Sequence, residues 1–187
     1  MQREFQFLDR KNSFIEGPLA KLFMRDSALL AAGVVLLISQ PQNLFAQCLL
    51  GTFLGIIFYL FHEWAHLLGA LLSKSVVTYP KKVLSPFIFS FNSQANSMLQ
   101  FVCMTLGGFF ATALLLAAYL IWLPDNVWGS VALYISFFLT SLTVFFELPI
   151  AIWTLITRQV VPVEIPFISH NPLFEKFMGV LANLKQK

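Results

Sequence analysis

Between Leu44 and Leu72 the chain runs through an apolar stretch in which Glu63 is the only charged residue. About 20 apolar residues suffice for a helix to cross a bilayer's hydrocarbon core. In that solvent every backbone polar group must be satisfied within the segment, so a helix is the form available to it. Composition extends the same conclusion to the whole chain. Of 187 residues, 58% are hydrophobic and 11% charged, where a soluble domain is about a quarter charged. Three more apolar stretches, 27–40, 98–123 and 128–157, complete the pattern, with turn sequences at Gln40-Pro41-Gln42-Asn43 and Pro124-Asp125-Asn126. The expected fold is an all-α integral membrane protein with four transmembrane helices (27–40, 44–72, 98–123, 128–157). The first stretch is short, and it admits an earlier start near Leu19 if Lys21 and Arg25 snorkel.

The charges orient these helices. All twelve Lys and Arg residues fall before the first stretch, between the second and third, or after the fourth. The positive-inside rule makes that side cytoplasmic, with both termini inside. The basic balance therefore reports topology, and no nucleic-acid partner is expected. Segment 1–26 is then a cytoplasmic lead-in. The connection 73–95, broken by Pro80 and Pro86, places phenylalanines at alternate positions 87, 89 and 91. That is a strand pattern, with Val76–Tyr79 as partner, and it predicts a small cytoplasmic hairpin. Within 158–187, Asn171 and Pro172 open an amphipathic helix carrying Leu173, Phe174, Phe177, Met178, Leu181 and Leu184 on one face. Cys48 and Cys103 both lie in apolar stretches and read as buried thiols.

Inside the second helix stands His62-Glu63-Trp64-Ala65-His66. Residues four apart share one helix face, so the two imidazoles can hold one metal ion, with zinc the expected cofactor. Glu63 can act as general base on a metal-bound water. Two His and a Glu in hydrocarbon are a functional site by default. A catalytic zinc takes three protein ligands. Of nine acidic residues only Glu63 and Glu147 lie well inside apolar stretches, which makes Glu147 the third metal ligand by elimination. At ~1.5 Å per residue, the motif lies about 30 Å below Leu44 and Glu147 about 28 Å below Trp128, the same depth. His170 is a weaker candidate. Gly107-Gly108 reads as a close helix-packing point.

The motif in its membrane setting resembles the site-2 protease family of intramembrane zinc metalloproteases. The resemblance covers most of the chain: the HEWAH helix, the connection after it, Gly107-Gly108, and a carboxylate late in the fourth helix. It implies that Glu63 is catalytic and that the substrate is a transmembrane or membrane-proximal peptide bond. Such a peptide must be unwound, and the edge strand carrying Phe87, Phe89 and Phe91 can hold it extended by strand addition. The family's third helix carries a glycine-rich motif ending in Asn. Thr112 stands near that position and is an expected substrate contact. The family's third ligand is usually the Asp of an Asp-Gly pair, where this chain reads Phe146-Glu147-Leu148-Pro149. Two other classes stand beside this reading. One is a catalytically inactive, protease-like subunit or assembly factor among neighbouring membrane subunits. The other, a His-ligated haem protein, fits poorly, because His62 and His66 share one helix face.

Overall fold

A computed structural model describes residues 17–80 and 82–160. Among them are four helices, α1 (Pro18–Ile38), α2 (Leu44–Leu72), α3 (Met98–Trp122) and α4 (Val127–Thr157), and two short strands, β1 (Val77–Thr78) and β2 (Ser90–Phe91). The expected tail helix from Asn171, and His170 before it, lie outside the described residues.

The helix ends follow from their caps. Asn43 accepts the Ala46 N–H at 2.8 Å and Asn126 accepts the Gly129 N–H at 3.0 Å. Ser97 and Gln100 form a reciprocal capping box at the start of α3. Pro18 occupies the first turn of α1 after Gly17, where its missing N–H costs nothing. The first helix therefore begins at Pro18, ahead of the apolar stretch 27–40, and takes in Lys21, Arg25 and Asp26.

Three helices, α2, α3 and α4, are long and apolar enough to cross a membrane. Among the described residues the chain is mostly helical with one small two-stranded sheet, consistent with an all-α membrane protein. Helix α2 is the hub, packed against the other three. Its contacts with α4 are made by Gly51 and Gly55, where an added Cβ would run into Val131 and Ile135. Gly51-x-x-x-Gly55 thus lets two membrane helices approach through small residues. Its contact with α3 is closer still. Gly107 meets the Ala65 carbonyl and Gly69 meets the Cys103 carbonyl, so the backbones touch.

The connection between α2 and α3 forms the hairpin, shorter than the alternating phenylalanines suggest. Only Val77 with Phe91 and Thr78 with Ser90 are paired, antiparallel. Buried Asn96 anchors it by accepting the Val76 N–H at 2.6 Å and donating to the Val76 carbonyl at 2.7 Å. Two small cores flank the hairpin. Leu22, Leu67 and Ile88 tie α1, α2 and the connection together, and Ala70, Phe101 and Met104 tie α2 to α3.

Candidate metal centre

His62 and His66 are buried on the α3-facing side of α2, at 3% and 8% exposure. Their Nε2 atoms stand 3.1 Å apart. Glu147 reaches in from α4, with Oε1 3.3 Å from His62 Nε2 and Oε2 3.1 Å from His66 Nε2. Residues 81 and 85 positions apart in sequence thus bring the three expected ligands to one point. Pro149 lies inside α4, just past the carboxylate. It removes one helical hydrogen bond there, which loosens the turn that carries Glu147.

Helix α3 fixes which ring nitrogens face that point. His66 Nδ1 donates to the Met104 carbonyl at 2.9 Å. His62 Nδ1 lies 2.8 Å from Thr112 Oγ1 and 3.3 Å from the Gly108 carbonyl. A carbonyl can only accept, so the protons are assigned to Nδ1 and the lone pairs to Nε2. Two imidazole lone pairs and a carboxylate then converge with no donor between them. Such a group is mutually repulsive until a cation sits at its centre. A tetrahedral zinc with Zn–N near 2.0–2.1 Å would space its ligand atoms about 3.3 Å apart. The two nitrogens stand 3.1 Å apart, close to that spacing, and the carboxylate offers one oxygen to each of them, with one ligand atom per residue lying within 4.8 Å of the others. His62, His66 and Glu147 can therefore hold a metal ion.

Gly108 is what permits this arrangement. A Cβ at that position would fall inside the His66 ring. The four-residue spacing of Met104, Gly108 and Thr112 on α3 matches that of the two histidines on α2. Residues of this kind behind the ligands hold ring orientation and ligand basicity. Thr112, an expected substrate contact, is buried and has its hydroxyl against His62. Thr112→Val, which keeps the shape and the Gly108 acceptor, is expected to weaken metal affinity about tenfold. Competition against a chromophoric chelator measures it.

Glu63, the residue after His62, is 7% exposed and lies outside the three-ligand group. Phe89 and Phe91 are packing residues. Phe91 lies edge-on to Phe101 at 5.9 Å, and Phe89 touches both small cores. Phe87 is half-buried.

Asp26 escapes a reading of apolar stretches because it precedes the first of them, yet it is 6% exposed. It accepts the Trp64 indole N–H at 2.9 Å and the Arg25 Nε–H at 2.6 Å. The signal available in the sequence was Trp64 itself, whose indole needs an acceptor when buried. No family model, curated protein or solved structure matches this chain.

Proposed function

We propose that this chain is an intramembrane zinc metalloprotease that cleaves a transmembrane or membrane-proximal peptide bond. In this reading α1 also crosses the bilayer, giving four spans with both termini cytoplasmic. The observation that carries it is the convergence of His62, His66 and Glu147 on one point beside Glu63. Two imidazole nitrogens and one carboxylate are a ligand set suited to zinc. When bound, zinc supplies a Lewis acid and an acidified water at neutral pH. Glu63 accepts the proton from the attacking water and returns it to the leaving nitrogen. The α3 carbonyls of Met104 and Gly108 keep both imidazoles in the ligating tautomer throughout. Bilayer lipid surrounds the helices, and a peptide enters in extended form beside the hairpin.

A second reading is favoured by one observation. Glu63 is nearly fully covered, as in an inactive, protease-like subunit that keeps the fold and the metal. One experiment separates the two. The full chain is purified in mild detergent without chelator, analysed for metals, and mixed with a reporter transmembrane peptide. One zinc per chain, with cleavage lost to chelator and restored by zinc, is the expected result. Zinc without cleavage, in the native chain and in Arg25→Gln alike, supports the subunit reading, and no bound metal overturns both.

A further inference from the structure

Tyr59, Glu63 and Leu67 lie one turn apart along one stripe of α2, and a single stretch of the connection covers all three. The Tyr59 hydroxyl donates to the Pro86 carbonyl at 3.0 Å. Glu63, between Tyr59 and Leu67 on that stripe, is 7% exposed. The Ile88 side chain is fully buried between Leu67 of α2 and Leu22 of α1. What holds this stretch down is on α1. Arg25 Nη1 donates to the carbonyls of Val83 at 2.6 Å and Ser85 at 2.7 Å. The same guanidinium is fixed by Asp26, which is fixed in turn by Trp64, the neighbour of Glu63. A planar guanidinium held on one edge presents its other donors in a set direction, which an ammonium does not do.

We propose that Val83–Ile88 is an autoinhibitory strap over Glu63, and that Arg25 is the positioning residue that keeps it closed. The strap occupies the side of Glu63 that a peptide must reach, and Glu63 is covered because the strap is down. Opening requires Arg25 to release two carbonyls and Ile88 to leave its pocket between α1 and α2. Nothing need change at the metal ligands. The purpose of opening rests on the protease reading above, whereas the closed strap and its latch do not.

The test places a thiol at the fully buried position by Ile88→Cys and measures its labelling by a small hydrophilic maleimide in the detergent-solubilised full chain. Labelling then reports strap opening and requires neither zinc nor cleavage. Adding Arg25→Gln is expected to raise the labelling rate about tenfold or more, since two hydrogen bonds from a charged donor are lost. Arg25→Lys should fall between the two. Tyr59→Phe, which releases the strap from α2 without touching α1, should raise the rate by a smaller factor. Labelling of native Cys48 and Cys103 should stay constant in every variant. The proposal is overturned if neither Arg25→Gln nor Tyr59→Phe changes the rate at position 88, or if Cys48 and Cys103 accelerate in step with it. If Arg25→Gln does not fold, the Tyr59→Phe comparison decides alone. A chain that binds no zinc yet shows the expected labelling pattern keeps the strap and loses the protease.

Discussion

Glu63→Gln is expected to leave one zinc per chain in place and to lower cleavage of a transmembrane reporter by about 10²–10⁴-fold. The two effects separate because the side chain sits next to the metal point without belonging to it. The three converging groups are His62, His66 and Glu147. Glu63 instead lies between Tyr59 and Leu67, the two residues of α2 that touch Pro86 and Ile88. Glutamine has the same length and nearly the same shape, so the strap and the helix keep their packing. What it cannot do at neutral pH is take a proton from water. A loss of that size corresponds to about 3–5 kcal/mol of transition-state stabilisation. Metal content and kcat/KM, measured on the same preparation, give the answer. Loss of zinc in Glu63→Gln would make Glu63 a ligand. Cleavage at the native rate would assign the activity to something other than this site.

The cluster of His62, His66 and Glu147 was legible in the sequence because each step relied on a strong local rule. Histidines four apart on a helix share a face, and a carboxylate in hydrocarbon is expensive enough to be noticed. Helix rise alone put Glu147 at the depth of the histidines. The groups that orient the ligands were harder to see. Two of the three Nδ1 partners from α3 are backbone carbonyls, of Met104 and Gly108. A carbonyl has no letter in the sequence, and only the spacing of Gly108 and Thr112 hints at a rail. Asp26 was hidden for another reason. Beside Arg25 and ahead of an apolar stretch it looks like a solvated flank, and its partner Trp64 is 38 positions away. The phenylalanines at 87, 89 and 91 show the limit of periodicity. Alternation is equally satisfied by an edge strand and by side chains packing on the core of Ala70, Phe101 and Met104. The structure uses Phe89 and Phe91 for packing and forms only two residue pairs of sheet. The Gly51-x-x-x-Gly55 contact was available as a pattern, since small residues at that spacing mark where membrane helices meet.

Glu147→Ala is expected to weaken zinc binding by roughly 10²–10³-fold while the helices stay assembled. The magnitude comes from structural zinc sites, where about 10–16 kcal/mol is shared among four ligands, so each carries a few kcal/mol. The fold should persist because α4 is attached to α2 through Val131 and Ile135 against Gly51 and Gly55, several turns from Glu147. The side chain is also 34% exposed, so its removal opens no closed cavity. Two graded variants test whether the carboxylate acts as a ligand or only as a neighbour for the imidazoles. Glu147→Gln keeps the length and one oxygen but loses the charge. Glu147→Asp keeps the charge but is one methylene shorter. With α4 fixed by its glycine contacts, Asp should reach the metal point with one oxygen at best. For a ligand, the affinity order is Glu, then Asp, then Gln, with Ala last. For a mere hydrogen-bond acceptor, Gln would bind zinc as well as Glu, because its oxygen reaches equally far. Zinc titrations of the four proteins against a competing chelator distinguish the two orders. Native affinity in Glu147→Ala would remove Glu147 from the site and leave His62 and His66 needing a third ligand from elsewhere.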